Sequence, residues 1–244
     1  MDINSDMGEG FGAWEMGNDA LLLDYITSTN IACGWHAGDP ARMQKLVELA
    51  IQKKVRIGAH PGLPDLAGFG RREMAISDQD AYRYTLYQAG ALQAFVKAAG
   101  GVLHHIKPHG ALYNQAARDI KLARGIAQAV KDLGNEVILY GLAGSCLVKA
   151  ANELNVPIWQ EVFADRRYTQ EGFLVPRTQA GAVIEDDEQA LKQVLGMAND
   201  GIVTSIDGKE IAIQADTLCI HGDNPHAVDF AKKIKGALQS HPNI

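Results

Sequence analysis

The chain has 244 residues, 47% of them hydrophobic and 21% charged, with a formal net charge of −6. This is an ordinary globular composition, long enough for one substantial core, and predicts a single domain over residues 1–244. The acidic balance argues against a nucleic-acid partner, which calls for a basic face, and no apolar run approaches the roughly 18 residues of a membrane span.

Three cysteines, Cys33, Cys146 and Cys219, match no zinc ribbon or redox pair. The first residues, Met1 to Asp6, carry neither the basic nor the apolar region of a secretion signal. A reduced, cytoplasmic setting is expected.

In chain order the sequence alternates short apolar strands with amphipathic helices. Strands are predicted from the first residues to Asn4, then at 29–33, 55–59, 102–106, 137–140, 158–163 and 217–220, seven in all. Asp39-Pro40 opens a helix with a capping side chain and a proline at its first position. Its apolar residues Met43, Leu46, Val47, Ala50 and Ile51 share one helical face. Ser77 and Asp80 form a capping box before a helix carrying Ala89, Leu92, Val96 and Ala99. Three further stripes follow, on Leu122-Ile126-Val130-Leu133, Leu147-Ala150-Ala151-Leu154 and Ala227-Phe230-Ala231-Ile234-Leu238. Asp207-Gly208 between alternating apolar runs predicts a β-hairpin insertion at 202–214. Strand–helix alternation implies a parallel sheet, and seven units suggest a (β/α) barrel one unit short of eight. An open doubly wound sheet is the competing architecture.

Polar residues collect where the strands end. His36, His60, His109 and His221 each follow an apolar run and lead into a glycine- or proline-containing turn. In a parallel sheet that places all four on one rim, where α/β folds carry their chemistry. Asp6 and Glu9 lie in Asn4-Ser5-Asp6-Met7-Gly8-Glu9, which also reads as an acidic turn before a helix. After His60 the loop Pro64–Arg72 has the make-up of a lid, with Arg71 or Arg72 closing on an anion, or of a plain surface loop. Lys107-Pro108-His109-Gly110-Ala111-Leu112-Tyr113-Asn114 gathers a cation, an imidazole, a phenol and an amide. Glu161 sits inside an apolar run and needs a cation or a donor, with Arg166 or Arg167 as possible partners; Asp165 follows it. Gly141–Ser145 offers either an anion-binding turn or a tight βα connection. His221-Gly222-Asp223 closes the set. Carboxylates, imidazoles and cations on one rim suit acid–base chemistry or metal-assisted hydrolysis. No phosphate loop, nucleophile elbow, Cys-x-x-Cys or His-Glu-x-x-His occurs.

Taken in order, Asn4–Glu9, Asn30–Asp39, Gly58–Pro61, Lys107–Asn114, Glu161–Arg166, Leu174–Arg177 and His221–Asp223 resemble the motifs of the LamB/YcsF lactam-utilisation family along nearly the whole chain. Trp35 stands where that family's phenylalanine is expected, and Arg167 where a glycine is common. The resemblance implies a distorted seven-stranded (β/α) TIM-like barrel, similar to the polysaccharide deacetylases. It also implies ATP-dependent opening of 5-oxo-L-proline to L-glutamate, with two further subunits, B and C, as partners. By likeness to the deacetylases, Asp6, His60 and His109 would be ligands of a divalent metal.

On that reading Asp6 or His109 activates water, and His36 or His60 assists proton transfer. Lys107 and Arg166 hold a carboxylate or phosphoryl group, with Glu161 and Asp165 in catalytic roles. Glu9, His60, Arg71, Tyr113, Arg166, His221 and Asp223 bind the substrate. The rivals are a metal-dependent carbohydrate N-deacetylase and a non-catalytic substrate-binding subunit.

Overall fold

A computed structural model describes residues 1–220 and 227–240. Seven parallel strands close into a barrel: β1 (Asp2–Met7), β2 (Ser28–Ala32), β3 (Arg56–His60), β4 (Leu103–Ile106), β5 (Ile138–Leu142), β6 (Ile158–Phe163) and, after an intervening hairpin of β7 (Ile202–Thr204) and β8 (Glu210–Ala212), β9 (Thr217–Cys219). β9 pairs with β6 on one side and β1 on the other, so the sheet has no free edge and the open-sheet alternative is excluded. The hairpin strands β7 and β8 pair antiparallel apart from the barrel, with Gly208 at φ +81° in their turn.

The helices outside the barrel start where the side chains dictate. Asp39 accepts from the backbone N–H groups of Ala41 and Arg42 at the start of α2 (Pro40–Gln52), after a four-residue α1 (Asp19–Leu22). Ser77 and Asp80 exchange both bonds of the capping box on α3 (Asp78–Ala98). α5 (Ile120–Leu133) buries Leu122, Ile126 and Val130, and α6 (Cys146–Leu154) buries Leu147, Ala150 and Ala151. Ser145 caps α6, and the Gly144 N–H donates to Gln160, so the Gly141–Ser145 turn serves the helix and the next strand. α8 (Ala227–Gln239) buries Ala227, Ala231 and Ile234. Besides the four-residue α1, two helices lay outside the sequence prediction. They are α4 (Gly110–Arg118), which begins at the rim, and α7 (Asp187–Leu195), which is capped by Asp186.

One strand departs from expectation in a way that builds the site. β1 runs to Met7 rather than Asn4, which puts Asp6 on the strand itself. Residues two apart face the same side of a strand, and Asp2, Asn4 and Asp6 all point into the barrel. Asp2 accepts from Ser28, Thr217 and Tyr140. Above it, Asn4 donates to Glu161 and Thr217 and accepts from Asn30 and Lys107. Asp6 accepts from Asn30 and Lys107 at the top. The barrel axis is therefore a hydrogen-bonded polar column, while the apolar core lies between strands and helices. Gly58 makes room for it, since a Cβ there would come 2.1 Å from His105 Nε2. Among the described residues no helix is long and apolar enough to cross a membrane.

Candidate active site

The upper end of the polar column opens into a cavity of about 480 Å³ at the C-terminal ends of the strands. Asp6, Glu9, His60, Arg71, Lys107, His109, Tyr113 and Arg166 all line it, and all eight were picked out from the sequence. His36 and Glu161 are fully buried and outside its lining, each in contact with residues that form it. Asp165 stands outside the lining, its backbone carbonyl accepting from Ile184. His221 and Asp223 fall outside the described residues.

Glycine-rich turns set these side chains. After β1, Gly8 adopts φ +70° and its N–H donates to Asp19, which turns Glu9 back over the rim. After β2, Gly38 adopts φ +81° in close contact with the Gly8 carbonyl, where a Cβ would come within 2.9 Å of that oxygen. The His36 turn and the Glu9 turn are thereby locked together. After β3, Asp65 caps a short turn (Leu66–Gly68) and binds Arg72 in an ion pair. That pair leaves Arg71, not Arg72, at the cavity, with its guanidinium over the Phe69 ring. The loop folds over the rim: its Phe69 carbonyl is 2.8 Å from His109 Nε2, and its Gly70 carbonyl accepts from Ala111.

Lys107 is the electrostatic centre of the floor. Its ammonium lies 2.9 Å from Asp6 and 2.9 Å from Glu161, 3.2 Å from Asn4 and 3.1 Å from the Cys219 thiol. Burial alone would lower its pKa, but Asp6, Cys219 and Glu161 together hold it well above the ordinary lysine value. Glu161 accepts from Tyr113 at 2.7 Å on its other oxygen, so its cation is Lys107 rather than Arg166 or Arg167. Burial, with Glu161 beside it, raises the Tyr113 phenol well above its usual pKa. Lys107 is thus fully engaged by protein groups and orders the floor rather than gripping a ligand.

Above the floor, Glu9, His36, His60 and His109 crowd together, with one ligand atom of each inside a 4.8 Å span. His36 stacks on His109 with ring centroids 3.7 Å apart, and His60 meets His109 edge to face. Burial holds the pKa values of His36 and His109 well below the usual imidazole range, and burial raises that of Glu9. Asp6 lies outside this foursome, though its carboxylate is 3.4 Å from His60 Nε2.

The lining is also rich in cations. Arg118, Arg166 and Arg177 line the cavity with Leu174, Val175 and Pro176, while Arg71 joins the lining beside the imidazoles, over Phe69. Arg166 is buried, is tied by Nη2 to the Val175 carbonyl at 2.6 Å, and keeps its Nε–H without an acceptor. Burial and the nearby Arg177 charge bring its pKa down to about 10, so it remains a cation at neutral pH. Arg118 and Arg177 were not among the sequence candidates. A helical reading of Gly110–Arg118 would have placed Arg118 one turn beyond Asn114, on the face that meets the cavity.

The fold and this rim define the class: a closed (β/α) barrel whose active-site candidates sit at the carboxyl ends of the strands. The chain belongs to the LamB/YcsF family, whose sequence model matches residues 1–243. It is 55% identical over 239 residues to the A subunit of 5-oxoprolinase from Bordetella pertussis, covering 98% of this chain and 95% of that protein. It is likewise 55% identical over 238 residues to the protein of the same name from Brevibacillus brevis, covering 98% and 94%. The crystal structure of a lactam utilization protein from Thermus thermophilus superposes with a TM-score of 0.92 at 45% identity, covering 99% and 96% of the two chains.

Proposed function

We propose that this chain is the A subunit of a 5-oxoprolinase and that its rim cavity is where the lactam of 5-oxo-L-proline is opened to L-glutamate. The observation that carries the reading is that Arg166 and the acid–imidazole groups Asp6, Glu9, His60 and His109 line one cavity. This suits a small molecule with an anionic group and a carbonyl to be attacked. The names of the relatives supply the particular substrate. They also support work in a complex, and we assign subunits B and C as its partners and ATP as its co-substrate.

An unstrained lactam resists water because amide resonance must be broken. Phosphorylation of the amide oxygen at the expense of ATP makes the ring carbon electrophilic. Water then adds to that carbon, the C–N bond breaks as the nitrogen takes up a proton, and a second water hydrolyses the resulting γ-glutamyl phosphate to phosphate and L-glutamate. In this chain Arg166, a cation in the cavity lining, holds the substrate carboxylate. Asp6, with its carboxylate at the cavity and steadied by Lys107 and Asn30, takes the proton from water. His60 and His109, 2.9 Å apart in the cavity lining, position the reacting groups beside Asp6.

The test is turnover by the complex reconstituted with both partner proteins. Asp6→Asn and His109→Ala should each abolish lactam-dependent glutamate formation while the circular-dichroism spectrum is unchanged. Full turnover by both variants would remove the chemistry from this rim.

A further inference from the structure

His60 and His109 meet through the wrong nitrogens for two neutral rings. His60 Nδ1 is 2.7 Å from the Lys107 carbonyl oxygen, and His109 Nε2 is 2.8 Å from that of Phe69. A carbonyl only accepts, so each of those nitrogens carries its ring's proton. The remaining pair, His60 Nε2 and His109 Nδ1, therefore face each other at 2.9 Å as two lone pairs. Something positive belongs beside them. Glu9 Oε1 lies 3.5 Å from His109 Nδ1 and 3.6 Å from His36 Nε2. That oxygen and both ring nitrogens of the fully buried His36 have no hydrogen-bond partner. Buried polar atoms of this kind are costly unless something satisfies them.

We propose that Glu9, His36, His60 and His109 form a binding site for one divalent transition-metal ion, with zinc the best match to three imidazole nitrogens and one carboxylate oxygen. The separations of 2.9, 3.5 and 3.6 Å bracket the edge of about 3.3 Å expected for a tetrahedron with metal–ligand bonds of about 2.0–2.1 Å. The carbonyls that hold His60 and His109 are the outer partners that fix the orientation of ligating imidazoles. His36 is stacked parallel to His109, so its ring must turn about the Cβ–Cγ bond to present Nε2; no hydrogen bond restrains it. Asp6 is outside the set because, although its Oδ2 lies 3.4 Å from His60 Nε2, it does not join the 4.8 Å span shared by the other four donor atoms, and its Oδ1 receives Lys107 and Asn30. The donors thus differ from the Asp6, His60 and His109 implied by likeness to the deacetylases. A proton shared by His60 and His109 would account for their approach but would leave Glu9 and His36 unsatisfied. When bound, such an ion supplies Lewis acidity at a carbonyl or phosphoryl oxygen.

The inference goes beyond the lactam reading and is tested on the untagged chain alone, without turnover. The chain is stripped with a chelator, dialysed, and titrated with Zn2+ by calorimetry, with melting followed in parallel. One equivalent should bind and raise the melting temperature. Glu9→Gln should weaken binding by about 100-fold and His36→Phe by about 10-fold, while Asp6→Asn stays within about threefold. No binding by the parent chain, as a merely shared proton would give, overturns the proposal. So does binding indifferent to Glu9→Gln and His36→Phe, or Asp6→Asn as damaging as Glu9→Gln. Co2+ gives a second readout on the parent chain, independent of how the variants fold. A four-coordinate, nitrogen-rich spectrum supports the site and a six-coordinate one overturns it.

Discussion

Lys107 Nζ lies 2.9 Å from Glu161 Oε1 inside the barrel, and Asp6 Oδ1 stands at the same distance from the same nitrogen. One buried cation thus answers two carboxylates. Removing it strands both, whereas removing one carboxylate leaves the other paired. Lys107→Met should cost about 3–5 kcal/mol of stability. Glu161→Gln, which keeps an oxygen for Tyr113, should cost about 1–3 kcal/mol. Urea unfolding of the two variants checks the order. A smaller loss for Lys107→Met would mean that Lys107 does not neutralise the floor.

Asp19 gives the fold a pH dependence of predictable sign. Burial, with the nearby Glu9 charge and against the Gly8 N–H, pushes its carboxyl up to about 6 from an ordinary 3.8. The folded state therefore binds this proton more tightly than the unfolded chain does. The resulting stability is fully present below about pH 4 and is lost as the pH rises to about 6, by up to about 3 kcal/mol. Asp19→Asn keeps an acceptor for Gly8 and has no proton to lose. Melting temperatures measured from pH 4 to pH 7 should fall for the parent chain and less steeply for the variant; parallel curves would contradict the assignment.

Gly58 sits where the β3 backbone passes the His105 ring. A Cβ there meets Nε2 at 2.1 Å, and that nitrogen is bonded to Asn30 at 2.7 Å, so the ring cannot retreat without breaking the column. Gly58→Ala should destabilise by about 1–3 kcal/mol through overpacking, with further loss if the Asn30 bond breaks. Calorimetric melting measures it, and a neutral substitution would show that His105 moves freely.

What the sequence made legible follows from what repeats. Seven apolar runs separated by amphipathic stripes and capped by Asp39 and Ser77 carry periodic signals, and all seven strands close the barrel. The strand-end histidines were visible because His36, His60 and His109 interrupt apolar runs beside glycine or proline. The inward polar face of β1 was not, because Asp2, Asn4 and Asp6 alternate with residues that look like a turn until partners from the other strands are known. Asn30, Cys219 and Thr217 read as ordinary strand residues, and only closure of the sheet makes them neighbours of Asp6, Lys107 and Asn4. The ion partner of Glu161 lies 54 residues upstream, a pairing no local pattern encodes. Arg118 was missed with the helix that carries it.

Arg166 separates binding from scaffolding. Its Nη2 ties down the Val175 carbonyl, its buried Nε–H has no protein acceptor, and the residue lines the cavity. Arg166→Lys keeps a cation but cannot serve both directions, because an ammonium lacks the planar fork. Arg166→Met loses the charge as well. In the reconstituted complex Arg166→Met should lower kcat/KM for 5-oxoproline by about 100-fold or more, as expected when a charged hydrogen bond to the ligand is lost. Most of that loss should fall in KM, since a carboxylate grip acts on substrate and transition state alike. Arg166→Lys should recover part of KM. If the residue served only to fix the Val175 segment, both variants would lower stability and kcat together and leave KM nearly unchanged.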